Sequence, residues 1–317
     1  MSPFLPDPAG ARRIDADVRR RVGESLESVA GALAPDVPES RHLARLVAAL
    51  RAGPVRPGVI AIYSDVVSAI AEGDETALRG ALASAAAFDR LSDPGSCRPA
   101  TLRDGDLGPG MAASYRRHAD DDPAVPLDIS AIDAATLAAA ADALRAATRL
   151  VEAAAPDLAA EVAALVREVV FAANGEGGPA FGGATTFYLW GATLLNVEAI
   201  GDVPRLAENL VHEAAHARLL GATHGRPLVL NPPQDRFASP LRPDARPMDG
   251  IVHANYVIAR LHYLARRAME GEERATRLAE YGRLFDAGDL IVAEEARFTA
   301  EGAALYGAAR DYMRSGG

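Results

Sequence analysis

The 317-residue sequence contains no lysine, so all 33 of its basic residues are arginine. This absence excludes a Schiff-base or pyridoxal phosphate enzyme and a P-loop nucleotide site, both of which depend on a lysine amine. The only cysteine, Cys97, cannot form an internal disulfide, a cysteine-rich zinc site or an iron–sulfur cluster held by several cysteines. A metal site in this chain therefore has to use histidine, aspartate or glutamate.

Long hydrophobic runs and an excess of positive charge are also missing. No stretch approaches the roughly 18 apolar residues that span a bilayer, and the first residues lack the apolar run of a secretion signal. The formal net charge of −10 and the pI near 5.2 disfavour an extended nucleic-acid surface. The sequence therefore predicts a cytoplasmic protein with neither nucleic acid nor membrane as a partner.

Apolar residues at helical spacing predict helices over residues 15–50, interrupted at 35–38, and over 58–71, 75–91, 130–154 and 156–173. The stretch 92–126 is rich in proline, glycine and aspartate, which predicts a linker or a long surface loop. It separates an N-terminal helical region, 1–125, from a catalytic region, 126–317, unless the two form one continuous domain.

Glycines that alternate with β-branched and aromatic residues predict short strands at 185–190 and 192–197. Further helices are expected at 204–220, 249–269, 272–285 and 289–312, with a proline-rich loop over 221–248. The predicted fold class is mostly α (α+β): a helical bundle with a small β-sheet beside the 204–220 helix.

The 204–220 helix contains an HExxH motif, His212-Glu213-Ala214-Ala215-His216. Residues four apart lie on the same face of a helix, so both imidazoles can reach one metal ion. Glu213 lies beside the open position of such a metal, where a metallopeptidase uses the carboxylate to take a proton from bound water. Two core histidines bonded to neighbours are the alternative, and an apolar helix makes their burial without a ligand expensive.

A third metal ligand has several candidates. Ala222 occupies the position of the third histidine in the long HExxH motif, so the chain departs from that pattern. We expect His253 to be the ligand, because its helix packs on the core. A glutamate, Glu294 or Glu295, is the alternative, and His224 follows in a turn where solvent or substrate contact is equally expected.

The proline-rich loop before His253 offers groups for an anion. Arg242 and Arg246 carry guanidinium forks that can hold a carboxylate through two hydrogen bonds, and Ser239 can add a hydroxyl. Beside a metal motif, this loop is predicted to clamp a carboxylate, whereas solvated arginines are the ordinary alternative.

The segments WGATLLN, LVHEAAH and SPLRPDARPMDGIVHANYVIAR, within residues 182–267, resemble the HExxH-motif peptide-modification family encoded beside ribosomally made precursor peptides. The resemblance implies an iron(II)- and 2-oxoglutarate-dependent oxygenase that uses O2 to hydroxylate a β-carbon in a precursor peptide, on a fold other than the double-stranded β-helix. It implies iron on His212, His216 and His253, with Arg246 favoured for the distal carboxylate of 2-oxoglutarate. The departure is that non-haem iron usually has one carboxylate ligand.

Peptide contacts are expected at Trp190, Thr193 and Asn196, since a strand at 192–197 could pair with an extended substrate by edge addition. A core strand with a packed Trp190 is the equal alternative. Two other functions compete with the oxygenase: a zinc metallopeptidase with Glu213 as general base, and a non-catalytic helical module with a degenerate motif. The arginine loop favours the oxygenase, because a peptidase does not need it.

Overall fold

The computed structural model describes residues 3–34, 36–92, 95–119, 127–175, 181–239 and 245–316. Its described residues form a mostly helical α+β fold, which confirms the predicted fold class. The α-helices of the described residues are α1 (Pro8–Leu33), α2 (Leu43–Ala52), α3 (Pro57–Glu72), α4 (Glu75–Ala87), α5 (Asp104–Leu107), α6 (Met111–His118), α7 (Ala134–Ala154), α8 (Pro156–Leu165), α9 (Val203–Thr223), α10 (Met248–Ala268), α11 (Gly271–Glu295) and α12 (Ala300–Arg314).

Five short strands form one mixed sheet that does not close on itself. They are β1 (Arg98–Thr101), β2 (Ile129–Ala131), β3 (Glu168–Asn174), β4 (Gly183–Ala184) and β5 (Ala192–Asn196). The order is β1-β3-β5-β4, with β1 and β5 parallel to β3, and β2 antiparallel to the end of β3 beyond β1. The expectation that the fold is not a double-stranded β-helix agrees with this open sheet.

The sheet lies between two hydrophobic clusters. One cluster packs α7, α9, α10 and α11 against one face, where Phe171 and Leu195 contribute from the strands. The other packs α1 to α4 and α6 against the opposite face, where Val170 and Leu194 contribute. Alternate residues of one strand thus enter different clusters, as the two-residue period of a strand requires. The helix that carries the HExxH motif lies directly on this sheet.

Several sequence predictions are wrong in detail. Residues 92–126 are more than a linker, since they contain β1, α5 and α6. The predicted helix over 156–173 ends at Leu165, and β3 follows it. The predicted strand at 185–190 is replaced by a short 3₁₀ turn, Phe187–Leu189, and α11 runs without a break through the gap predicted between 285 and 289.

The sheet draws strands from both sides of the boundary predicted near residue 125, because β1 pairs in parallel with β3. The N-terminal segment is also tied to the later helices. Arg260 of α10 donates to the backbone oxygen of Phe4 and forms a buried ion pair with Glu161 of α8. No helix in the described ranges combines the length and apolar character needed to cross a membrane.

Candidate metal centre

Helix α9 begins at a well-formed N-terminus and becomes almost fully buried along its length. Asp202 caps it by accepting a hydrogen bond from the Arg205 backbone N–H at 2.9 Å, and Pro204 stands in the first turn, where its missing N–H costs nothing. Leu206, Leu210 and Leu219 are each at most 1% exposed. The helix is therefore held between the sheet and its neighbours, and the HExxH side chains project from a fixed backbone.

The structure brings His212 and His216 together as the motif predicts. Their Nε2 atoms lie 3.3 Å apart, and the ring centroids are 5.0 Å apart. Two imidazole nitrogens bound to one ion at 2.0–2.1 Å would be separated by about 3.0–3.4 Å. The pair therefore has the spacing of two ligands of one metal ion, although one ring donating to the other would give a similar distance.

Both rings are held in the neutral form that can bind a metal. Burial lowers the pKa of His216 well below its usual value, and the charges of His212 and His253 lower it further. Burial, with Arg205 as a second cause, also lowers the pKa of His212. Since 43% of the His212 side chain is exposed, this ring lies at the mouth of the site, and His216 beside it is half-buried.

Glu213 is buried on the sheet side of the helix. Its Oε2 atom accepts a hydrogen bond from Thr185 Oγ1 at 2.8 Å, and Thr185 in turn is 2.9 Å from Thr193 Oγ1. Burial raises the pKa of Glu213 to about 7, and the Thr185 hydrogen bond opposes that rise. The other oxygen, Oε1, lies 4.0 Å from His212 Nε2, so the carboxyl group can exchange a proton beside the histidine pair.

Gly183 of β4 makes room for this carboxylate. A Cβ atom at Gly183 would overlap with Glu213 Oε1 and would stand 3.1 Å from the Leu194 carbonyl oxygen. Neither Gly183 nor Thr185 was predicted as a site residue. The only sequence signal was the GGATT segment, and its last two residues were included in the strand predicted at 185–190.

His253 of α10 approaches the pair from the other side. Its ring stacks on His216 with centroids 5.8 Å apart, and burial lowers its pKa while Asp249 raises it. Asp249 Oδ2 lies 3.5 Å from His253 Nε2. Sequence reasoning overlooked Asp249, although it lies four residues before His253 and therefore on the same helix face.

The other proposed ligands lie elsewhere. His224 caps the end of α9 in a left-handed conformation, and its Nε2 is 2.5 Å from Asp17 Oδ2 of α1. Glu294 and Glu295 are exposed on the last turn of α11. The described part of the chain contains no group of three or more His, Cys, Asp or Glu side chains that could hold a metal ion. The donors instead occur as pairs.

The predicted carboxylate clamp is only partly within the described residues. Arg242 lies outside them. Arg246 is half-buried, and its backbone forms a two-bond antiparallel bridge with Phe237, at 2.9 Å each, immediately before α10 begins. Ser239 is half-buried in the same loop. Arg246 thus lies two residues before α10, the helix that carries His253, on a backbone that the bridge fixes.

The residues predicted to contact peptide are interior. Trp190 is 4% exposed and donates from Nε1 to Asp15 Oδ1 at 3.1 Å, while Asn196 donates to the Phe181 carbonyl at 2.8 Å. Thr193 is fully buried beside Thr185. The expectation of edge addition to β5 is wrong, because β5 pairs with β3 on one side and with β4 on the other.

The donor set suits a divalent transition metal. Neutral imidazoles suit iron and zinc, and the α9 pair already has the required nitrogen spacing. The α9 pair therefore has the spacing of two metal ligands, while the described residues bring no third donor close enough to complete a site.

Comparison of the chain with protein-family models and with curated proteins finds no match.

Replacing Gly183 with alanine should disturb Glu213 specifically. The new methyl group must displace the carboxylate or the strand, and overpacking of this kind costs about 1–3 kcal/mol. Urea unfolding would measure the loss. Gly182→Ala is the matched control, since a Cβ there meets nothing within 4 Å. Equal stability of the two variants would contradict the close packing of Gly183 on Glu213.

Proposed function

We propose that the protein is an iron(II)- and 2-oxoglutarate-dependent oxygenase that hydroxylates a β-carbon in a ribosomally made precursor peptide, a reaction that would take place in the cytoplasm. The observation that supports it most is the neutral His212/His216 pair with Nε2 atoms 3.3 Å apart on a buried helix, with His253 stacked beside it. Bound there, iron(II) with 2-oxoglutarate and O2 would supply the oxidising power to convert a C–H bond to a C–OH group.

The chain's own contribution is to hold the ligands and exclude water. His212 exposes 43% of its side chain and His216 beside it is half-buried, so a substrate would approach from the His212 side. A water-poor pocket protects a reactive oxidant from side reactions. Glu213, fixed by Thr185, can hold or release a proton next to His212.

Arg246 is the residue proposed to bind the distal carboxylate of 2-oxoglutarate. It lies immediately before the helix that carries His253, and the bridge to Phe237 fixes its backbone. A guanidinium fork can hold a carboxylate through two parallel hydrogen bonds, which gives orientation as well as affinity. Ser239 of the same loop is proposed to assist, and so is Arg242, which lies outside the described residues.

The central prediction concerns metal and co-substrate together. Protein loaded anaerobically with iron(II) should develop the visible absorption of an iron–keto acid chelate when 2-oxoglutarate is added, and should release succinate on exposure to O2. His212→Ala should abolish both signals, because one arm of the ligand pair is lost. His42→Ala, which changes a histidine in the N-terminal region, is the control. Stoichiometric zinc with cleavage of casein, and no response to 2-oxoglutarate, would overturn the proposal.

Arg246→Ala should raise the concentration of 2-oxoglutarate needed for half-maximal succinate formation while leaving the metal content unchanged. Loss of one charge-assisted bidentate contact corresponds to about 1.5–3 kcal/mol of binding free energy. The required concentration of 2-oxoglutarate should therefore rise roughly 10- to 150-fold. Arg236→Ala, at an exposed position of the same loop, is the control. A fall in metal content instead would assign the loop a structural role.

A zinc metallopeptidase is the second candidate, and the carboxyl of Glu213 favours it. A pKa raised to about 7 suits a general base at neutral pH, and Oε1 lies 4.0 Å from a ligand nitrogen. In that case zinc would supply the Lewis acidity that makes a bound water acidic, and Glu213 would take its proton.

Glu213→Gln separates the two candidates. Glutamine keeps an acceptor for Thr185 but cannot take a proton, so peptide cleavage with zinc should fall by about 10²–10⁴-fold. Succinate formation with iron should fall far less, because oxidation needs no general base. Glu294→Gln is the matched control, since that side chain is exposed. Casein cleavage that survives Glu213→Gln would rule out Glu213 as the general base of a peptidase.

A further inference from the structure

A groove of about 520 Å³ lies where the start of α1 meets the end of α9. Its volume is within the roughly 300–1,000 Å³ that is typical of small-molecule sites. Helix α9 contributes Arg218, Gly221 and Ala222 to the wall, all of which follow His216 in the chain. The groove is therefore a different site from the histidine pair, although the same buried helix carries both.

Arg218 lines this groove and is a buried cation with unused donors. Only 8% of its side chain is exposed. Its Nε and Nη1 atoms have no hydrogen-bond partner among the described residues. A guanidinium group has five N–H donors and no acceptor, and an interior cation without a partner is costly in free energy. Arg218 therefore needs an acceptor beyond those that surround it.

Glu161 of α8 does not fill this need, because other groups already use it. Its Oε1 atom pairs with Arg260, and its Oε2 atom accepts a hydrogen bond from the Asp7 backbone N–H at 2.8 Å. Arg218 Nε lies 3.8 Å from the same Oε2 atom, which is too far for a hydrogen bond. Two buried guanidinium groups thus share one carboxylate, which leaves one positive charge in excess.

The aspartates in the wall of the groove are also engaged by other donors. Asp7 accepts a hydrogen bond from the Gly10 backbone N–H at 2.8 Å and forms an ion pair with Arg13 at 3.3 Å. Asp17 Oδ2 lies 2.5 Å from His224 Nε2. The carboxylates of the wall thus have donors of their own, whereas Arg218 has donors to spare. A ligand of this groove has to bring the acceptor.

We infer that the groove binds a small molecule with one carboxylate and an apolar body, and that Arg218 pairs with the carboxylate. One excess positive charge matches a singly charged carboxylate. A doubly charged phosphate would be repelled more strongly by Asp7 and Asp17. Ile14 and Ala222 provide apolar wall for the rest of the molecule. This binding site goes beyond the proposed function and does not depend on it.

The experiment uses hexanoate as the probe, hexanamide as its uncharged match and inorganic phosphate as a second anion. Ligand-observed NMR titration of metal-free protein measures the three dissociation constants. Hexanoate should bind saturably and at least tenfold more tightly than either of the others. Arg218→Met removes the charge and keeps the length of the side chain, so it should weaken hexanoate binding at least tenfold. Arg226→Met, at an exposed position just beyond α9, is the control and should bind as the wild type does.

Thermal unfolding separates the loss of a ligand site from a folding defect. If Arg218 lacks a partner in the free protein, Arg218→Met should not lower the midpoint of unfolding, and hexanoate should raise the midpoint of the wild type alone. Ala222→Leu narrows the groove and keeps Arg218, so it should also weaken hexanoate binding.

Four results would overturn the inference. Equal binding of hexanoate and hexanamide would remove the role of charge, and tighter binding of phosphate would contradict the carboxylate. Hexanoate binding that Arg218→Met leaves unchanged would place the probe elsewhere. A lower unfolding midpoint of Arg218→Met would show that Glu161 already satisfies Arg218.

Discussion

The burial of α9 together with its ionisable side chains is the constraint on which the rest of the structure depends. An unpaired charge in the interior costs several kcal/mol, so each such group needs a partner or must be neutral. Glu208 accepts a 2.6 Å hydrogen bond from Tyr281, Glu213 accepts one from Thr185, and the histidines become neutral. The partners come from the sheet on one side and from α11 on the other. The packing around α9 therefore gives these ionisable side chains a hydrogen-bond partner or keeps them neutral, so that the helix can be buried in the core.

The helices were largely predictable, because their apolar periodicity and caps are local. α9 and α10 begin and end within one to three residues of the predicted bounds. The sheet was predicted only in part: β5 matches the strand predicted at 192–197, but the central strand, β3, follows α8 without a glycine or proline to mark the change. Its residues are apolar on both faces, and a short apolar run fits a buried helix equally well. Pro99 in β1 also suggested a loop, although proline is tolerated at the edge of a sheet, where β1 lies.

The candidate site was predictable only where its residues share one helix. The spacing of His212 and His216 is a property of a single helix, so the motif placed them correctly. Thr185 contacts Glu213 across 28 residues of chain, and nothing local in the sequence marks that pairing. Trp190 illustrates the reverse error: a large aromatic beside a motif suggested substrate contact, whereas its indole N–H is used by Asp15 in the core. Long-range packing decides both cases.

The position of Asp249 depends on a part of the chain that carries no motif. The Leu228 N–H that orients Asp249 belongs to a segment whose carbonyl oxygen accepts hydrogen bonds from the Thr299 backbone N–H and Oγ1, at 2.9 and 3.0 Å. Thr299 caps α12, and Gly302 has no side chain, so α12 can pack directly on Leu228. Helix α12 thus fixes the segment around Leu228, and the Leu228 N–H orients the Asp249 carboxylate. That carboxylate lies beside His253. Because α9 is fixed by its burial and α10 by these contacts, the stacking of His253 on His216 depends on packing that reaches the C-terminal helix.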